Sequence, residues 1–334
     1  MDKLKIGFVG AGVHSTAILM PSLNLVPCIE RVALCDLQAD LARARARQFG
    51  FARSYGDYRR MVDEERLDGV IVCINAAVHP KVVIDLVEAG LDVLVEKPAA
   101  ITPEAAREMA DAARSAGRFI MVEHNKRYAT AIRKARAILN DEAFGNLVMV
   151  NSSMLAYPYD TLFDCMMEWQ IHNIDLLRLF AGEVAEMHAM KCPVADQRAA
   201  IAILMQFESG VVGTTHWGTE GGTNHGLGAG RGCERMELIS DTAHVLVIEN
   251  DRRIVHYHGN DAQTWESDWS PHRQNSSLVV DGYVGALEAF AECIVSRVPP
   301  DPDIDDEIAA IRFVHEVAEQ LGILQEWKAV EGKP

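Results

Sequence analysis

At 334 residues the chain is long enough for two domains with cores of their own, and 49% hydrophobic with 24% charged residues is ordinary globular composition, which excludes disorder on a large scale. Its 48 acidic against 32 basic residues give a formal charge of −16, which repels a phosphate backbone, so nucleic acid is not an expected partner. The seven cysteines are odd in number and scattered, no C-x-x-C pair occurs, no uncharged apolar stretch reaches the roughly 18 residues of a membrane span, and the chain enters a strand almost at Met1; the expectation is a cytoplasmic protein with reduced thiols and no membrane partner.

Leu4 to Val9 is short, apolar and β-branched enough for a buried strand, and it runs without a break into Gly10-Ala11-Gly12-Val13-His14-Ser15. Gly10 suits a tight turn, and Gly12 lets backbone approach a pyrophosphate lying on the N-terminus of the next helix, so Gly10, Gly12, Val13 and His14 are the candidate phosphate-binding residues. Ser15 stands where the third glycine of a dinucleotide fingerprint falls. By themselves these six residues read equally well as a glycine-rich turn with no ligand. The next strand, Arg31 to Cys35, ends at Asp36, in the region where an acid binds the ribose hydroxyls; its carboxylate repels a 2′-phosphate, and Leu37 and Gln38 supply no cation to offset it. NAD is therefore expected rather than NADP.

A helix follows to Phe49 and Gly50, then a strand from Leu67 to Cys73 and a helix from Pro80 to Ala89. Leu91 to Val95 is a further buried strand, ending in Glu96-Lys97-Pro98, where a lysine faces the crevice used by ligands of open α/β sheets. Thr102-Pro103-Glu104 starts a helix that stops at Gly117, and Phe119 to Val122 closes the alternation. These strands, joined by helices, predict a doubly wound parallel sheet over residues 1–124. From residue 125 the rhythm changes. A helix over 130–139 and a strand over 147–154 precede a second helix ending at Gly182. Strands over 184–191, 199–207, 211–219, 235–239 and 243–248 follow, and the chain closes with helices over 284–296 and 304–321. Residues 125–334 are thus expected to be an α+β domain with a mostly antiparallel sheet and helices on one face.

The order of the glycine loop, Asp36, Cys73-Ile74-Asn75-Ala76-Ala77-Val78-His79, Glu96-Lys97-Pro98 and His172-x-x-Asp175 resembles the Gfo/Idh/MocA family of glucose–fructose oxidoreductases, inositol dehydrogenases and relatives. The likeness spans essentially the whole chain and is clearest in the N-terminal half. It implies a Rossmann domain followed by a mostly antiparallel α/β domain, a nicotinamide cofactor, and oxidation or reduction of a hydroxyl-bearing carbon of a sugar or cyclitol. It further implies a homodimer or homotetramer formed through the open face of the second sheet.

On that resemblance Lys97 hydrogen-bonds the reacting oxygen and stabilises charge as the alcohol proton leaves. His172 is the candidate general base, and Glu168, one helical turn before it, is placed to tune the imidazole. The segment Glu168 to Asp175 departs from the family pattern Asp-x-Gly-x-His-x-x-Asp by having Glu168 for the first acid and Gln170 for the glycine, which leaves substrate placement open. The resemblance puts Ile74, Asn75 and His79 beside the nicotinamide ribose and pyrophosphate, with Asn75-Ala76 replacing the usual Pro-Asn; Glu96 and Lys97 complete the candidate cofactor-binding set. Asn125 and Arg127 either reach the crevice or start the crossover helix. Asp175, Tyr157 and Trp169 complete the candidate substrate set; Tyr157, Trp169, Trp217, Trp265 and Trp269 stack on sugar faces or pack in the core. The glycine-rich run 221–230 is a lid or a surface loop, and His225 belongs to the substrate set if that lid closes. His256 and His258 share one face of a possible strand with no third ligand at a convincing spacing, so no metal is expected. Two further readings stay open: a glycoside hydrolase or epimerase that oxidises transiently and recycles its NAD, and a non-catalytic sugar or dinucleotide sensor.

Overall fold

The computed structural model describes residues 3–156, 160–195, 198–219, 233–267 and 276–324. The chain divides into two compact units: Met1–Tyr128 with Ser270–Ala309, and Ala129–Trp269 with Ala310–Pro334.

In the first unit the chain runs β1 (Leu4–Val9), α1 (Met20–Leu23), β2 (Ile29–Cys35), α2 (Ala39–Phe49), β3 (Arg53–Tyr55), α3 (Tyr58–Glu64), β4 (Gly69–Val72), α4 (His79–Glu88), β5 (Asp92–Glu96), α5 (Pro103–Ala116) and β6 (Ile120–Glu123). Its six strands form a parallel sheet in the order β3-β2-β1-β4-β5-β6, the doubly wound arrangement predicted. β1, β4, β5 and β6 are buried along nearly their whole length, as the continuous apolar runs require. α5 follows its capping signals: the Thr102 hydroxyl accepts the Ala105 N–H at 3.2 Å, Pro103 opens the helix, and Gly117 ends it in the left-handed conformation at φ 62°.

One turn is wider than the sequence suggested. Ser15–Leu19 is a π-helical segment leading into α1. Pro21 has no N–H to give the Ala17 carbonyl and its ring crowds that carbonyl, a physical cause for the bulge.

In the second unit, α6 (Thr130–Leu139) precedes β7 (Leu147–Leu155), α7 (Leu162–Cys165), α8 (Ile171–Ala181), β8 (Val184–Ala195), β9 (Arg198–Phe207), β10 (Val212–Gly218), β11 (Cys233–Ser240), β12 (His244–Glu249), β13 (Arg253–His258) and β14 (Asp261–Glu266). Among the described residues these strands make an eight-stranded sheet in the order β14-β13-β12-β11-β7-β10-β9-β8, antiparallel at every pairing but β7 with β10. β9 alternates strictly: Ala199, Ile201, Ile203, Met205 and Phe207 are buried, while Leu204 on the other face is exposed. Cross-strand register puts Met149, Met190, Val212 and Tyr257 on that same bare face.

The chain then returns to the first unit. α9 (Ser276–Val280) and α10 (Tyr283–Ser296) follow, and α10 lays Leu287, Phe290 and Ile294 into the core made by Ile6, Phe8, Leu34, Ile71, Leu94 and Met121. α11 (Ile304–Gln320) closes the described chain. No helix among the described residues is long and apolar enough to cross a membrane.

Candidate functional site

The candidate site of the first unit is the carboxyl edge of the parallel sheet. Gly10 sits at φ +106°, and a Cβ there would lie 2.0 Å from the Cys73 carbonyl oxygen, so only glycine fits between β1 and the end of β4. At Gly12 a Cβ would meet nothing within 4 Å, which leaves open space against bare backbone. Asp36 closes β2 with both oxygens engaged: one accepts the Ala11 N–H at 2.8 Å and the other the Gln38 N–H at 2.9 Å. Each oxygen keeps a further acceptor site for a hydroxyl. Val13 and Leu37, flanking this carboxylate, are 85% and 93% exposed. Open backbone at Gly12, an acid tied to the loop and two bare apolar side chains fit a dinucleotide's phosphates, ribose and flat base.

At the other side of β1 the structure gathers His14, Cys73, His79, Glu96 and Lys97. The His14 Nε2 lies 2.7 Å from Glu96, and the His14 ring makes an edge contact with Tyr283. Burial pushes the Glu96 carboxyl up, but His14, Lys97 and His79 more than offset this and hold it below its ordinary value. Lys97 itself is half-buried, and its peptide with Pro98 is cis.

The segment after Lys97 is gripped from two sides. His79, fully buried, brings Nδ1 to 3.1 Å from the Pro98 carbonyl, so this nitrogen carries the proton and donates; its Nε2 has no partner. Burial lowers the His79 pKa below 6.5 and keeps the ring neutral. Glu307, at the start of α11, accepts the Ala99 N–H at 2.8 Å and lies 2.6 Å from the His124 Nε2. Ile74 is half-buried and Asn75 exposed, the latter capping a turn by accepting the Ala77 N–H.

Asn125 and Arg127 follow β6, but their polar groups serve the fold. The Asn125 amide donates to the Asp281 carbonyl at 2.8 Å, and the buried Arg127 guanidinium is paired with Asp301 and, at 3.3 Å, with Asp306. Partners 156, 174 and 179 residues away gave no local signal.

The candidate residues of the second unit are carried by α8 and the turn before it. Met166–Gln170 is a π-helical segment, so Glu168 lies in a widened turn and not in the regular helix expected. His172, Asn173 and Asp175 are buried on α8, whereas Glu168 and Trp169 are half-buried. Gln170, which replaces the family's glycine, is buried; its amide nitrogen lies 3.5 Å from the Cys165 sulfur and its Oε1 has no partner.

Sequence reading passed over Asn173. Its Oδ1 accepts from Ser152 at 3.2 Å, Thr215 at 2.7 Å and the Trp217 indole at 3.0 Å, which ties α8 to β7 and β10. Trp217 is therefore a core residue. Trp265 is half-buried beneath the Lys134 ammonium. Tyr157, His225, Trp269 and the run 221–230 lie outside the described residues.

His256 and His258 do share a face, and β12 adds His244, which stacks on His258 at 3.9 Å and hydrogen-bonds His256 at 2.8 Å. The nitrogens bond one another and do not converge on a point. Among the described residues no cluster of three or more ligating side chains is placed to hold a metal.

Comparison with known proteins bears on both units. Residues 4–124 match a family described as an oxidoreductase family with an NAD-binding Rossmann fold, and residues 132–238 match the GFO/IDH/MocA C-terminal domain. D-glucoside 3-dehydrogenase of Escherichia coli (strain K12) is 30% identical over 152 residues, covering 46% of this chain and 43% of that protein. D-apiose dehydrogenase of Paraburkholderia graminis is 32% identical over 195 residues, covering 54% and 52%. The chain thus spans about half the length of these curated relatives. The crystal structure of a dehydrogenase from Chromobacterium violaceum superposes with a TM-score of 0.88 at 21% identity over 99% of both chains, which shows a shared fold.

Proposed function

The chain belongs to the Gfo/Idh/MocA oxidoreductase family, and from that premise we propose that it is an NAD-dependent dehydrogenase acting on a secondary alcohol of a sugar, sugar derivative or cyclitol. The observation that carries the reading is Lys97, standing directly after Glu96 at the carboxyl end of β5 in the sheet that also bears the open backbone of Gly12 and the acid Asp36.

Gly10, Gly12, Val13 and His14 would hold the phosphates, Asp36 the ribose hydroxyls, and Ile74, Asn75, His79, Glu96 and Lys97 the nicotinamide half. When bound, the cofactor supplies the two-electron acceptor for a hydride. Lys97 donates a hydrogen bond to the reacting oxygen and stabilises the charge that grows there as the O–H bond breaks. His172 takes that proton, and Glu168 orients or tunes the imidazole. Asp175 and Trp169 bind substrate, together with Tyr157 and His225. The bonds of Asn125 to the Asp281 carbonyl and of Arg127 to Asp301 and Asp306 favour a structural role for that pair. Relatives named for glucosides and apiose support a carbohydrate substrate, bound by the part of the chain after residue 124.

A homodimer or homotetramer through the bare sheet face carrying Met149, Met190, Leu204, Val212 and Tyr257 is part of the same proposal, because such a patch is costly to leave in water. Placement in the cytoplasm rests on the unbridged thiols of the described cysteines.

The test is NADH formation by the purified protein with NAD, then NADP, across hexoses, uronic acids, inositols and glycosides, beside Lys97→Ala. A signal with NAD that the variant loses is expected. A folded wild-type protein silent on every substrate, or a variant with wild-type turnover, overturns the reading.

A further inference from the structure

Glu123 ends β6 as Glu96 ends β5, and the two are direct register partners on adjacent parallel strands. Partners in such strands lie about 4.8 Å apart with side chains on the same face of the sheet. That face is shared with Leu94 and Met121, two residues earlier, which pack against α10. Both carboxyls are withdrawn from water, Glu96 at 6% exposure and Glu123 at 1%.

Glu96 is satisfied by His14. The Asn125 backbone N–H bonds the Glu123 carboxyl, but Oε1 is buried and has no partner. Two dry carboxylates on neighbouring strands repel each other, and Lys97 with His14 beside Glu96 offsets the charge of only one of them. Glu96, with a histidine and a lysine beside it, keeps the charge. Burial first and the Glu96 charge second push the Glu123 carboxyl well above its ordinary range, opposed by Lys97 and the Asn125 N–H.

The strand order indicates what could change this balance. Asp36 would hold the ribose end at β2 and the loop after β1 the phosphates, so the remainder of an extended dinucleotide would lie toward β4, β5 and β6, the strands next in the sheet. Its oxidised ring is a cation, and its reduced ring is neutral.

We propose that Glu96 and Glu123 share a single proton, carried by Glu123, and that seating the oxidised dinucleotide expels it. The Glu123 O–H bond breaks, the proton leaves to water and no electron moves; the two carboxylates left beside Lys97 would then be balanced in part by the charge of the oxidised ring. The reduced dinucleotide leaves the proton in place. Glu123 is on this account a positioning residue that makes the site prefer the oxidised cofactor as pH rises. The other groups around the pair are His14 and His79 on Glu96, the Cys73 thiol at the end of β4, itself pushed up to about 12 by burial and by Glu96, and Tyr283 from α10 against His14; Asp281 offers Asn125 its backbone carbonyl. His124, next in the chain, is held by Glu307.

The inference rests on the dinucleotide reading above, and the experiment separates the two. The full chain is titrated with NAD+ and with NADH by calorimetry at neutral pH, in buffers of different ionisation enthalpy. The expected result is about one proton released per NAD+ and none per NADH, with the NAD+ dissociation constant falling about tenfold per pH unit. Glu123→Gln should still bind NAD+ with no release and no such slope, while Lys97→Met should retain the release. In wild-type protein the infrared carbonyl band of a protonated carboxyl should vanish on adding NAD+, a measurement that needs no variant. Binding with no release, a release that survives in Glu123→Gln, or a release abolished only by Lys97→Met overturns the proposal while leaving the cofactor assignment standing. Failure of either dinucleotide to bind overturns the cofactor assignment and this inference with it.

Discussion

The His79 Nδ1 and the Pro98 carbonyl oxygen lie 3.1 Å apart in a buried setting, and this bond holds the residue next to Lys97 from the start of α4. Because a carbonyl can only accept, the tautomer is set by geometry, and a ring charged at both nitrogens would be buried with one N–H unanswered.

His79→Phe keeps the ring volume and removes the donor. It should cost about 1–3 kcal/mol in urea unfolding at pH 7.5, the cost of an orphaned buried carbonyl. The pH dependence should change as well. A histidine whose folded pKa is depressed contributes stability that is full above its unfolded value of 6.5 and is lost as pH falls below it, because the unfolded chain binds the proton first. The variant should therefore lose less stability than wild type between pH 7 and roughly pH 5. Part of the slope should survive, since burial also lowers the His256 pKa. Identical slopes in the two proteins would show that His79 is not the titrating group.

Gly10 and Gly12 should separate folding from binding. Gly10→Ala forces a methyl to 2.0 Å from a backbone oxygen at positive φ, and it should destabilise by about 3 kcal/mol or more. Gly12→Ala meets nothing and should stay within about 0.5 kcal/mol of wild type in stability, yet weaken NAD binding because the methyl occupies the approach to the phosphates. Melting curves paired with NAD titrations check both. A Gly12→Ala protein that binds NAD normally would remove the phosphate assignment from this loop.

Asp36→Ala should lower NAD affinity by roughly tenfold to a hundredfold, the equivalent of about 1.5–3 kcal/mol for charge-assisted hydrogen bonds to the ribose. NADP should gain relative to NAD once the repulsion of its 2′-phosphate is gone. Dissociation constants for both cofactors, measured by fluorescence quenching, decide this. An unchanged ratio would mean that the carboxylate, bonded to Ala11 and Gln38, is only a loop brace.

Local patterns carried much of the fold. Apolar runs marked five strands of the parallel sheet, and caps such as Thr102 and Gly117 marked helix ends, because each depends on neighbours within a few residues. The sixth strand, β3, is only Arg53-Ser54-Tyr55, too short to show a period. β13 went unread except as a possible strand at His256–His258, and β14 reads Asp-Ala-Gln-Thr-Trp-Glu, a polar edge strand with little buried face. The return of α10 to the first core, and the pairing of Arg127 with Asp301 and Asp306, depend on contacts that no local window contains. In the site, Gly10, Asp36 and Lys97 were legible because each follows a strand end. Glu123 follows one as well, but an acid after Ile-Met-Val reads as a strand reaching solvent, and only the register with Glu96 shows it buried. Asn173 lacked any signal, since a lone amide on a helix has no pattern.

That amide is the most consequential residue of the second unit that no pattern marked. Asn173→Ala leaves the Trp217 indole N–H, which can only donate, without its acceptor at 1% exposure, and removes the shared acceptor of Ser152 and Thr215. The hydroxyls keep each other at 2.7 Å, but that bond uses only the Ser152 proton, so the expected cost is that of two orphaned donors, the indole N–H and the Thr215 O–H, plus a small cavity, about 2–4 kcal/mol. Because α8 also carries His172, turnover should fall further than the folded fraction does. Trp217→Phe removes the donor instead of the acceptor, so in Asn173→Ala/Trp217→Phe the two losses should combine to less than their sum by about 0.5 kcal/mol or more. Urea unfolding of the four proteins closes that cycle. Strict additivity would mean that the indole bond does not fasten α8 to the sheet, and that the Asn173 bonds to Ser152 and Thr215, with the packing of Ile171, Ile174 and Leu177, hold the helix without it.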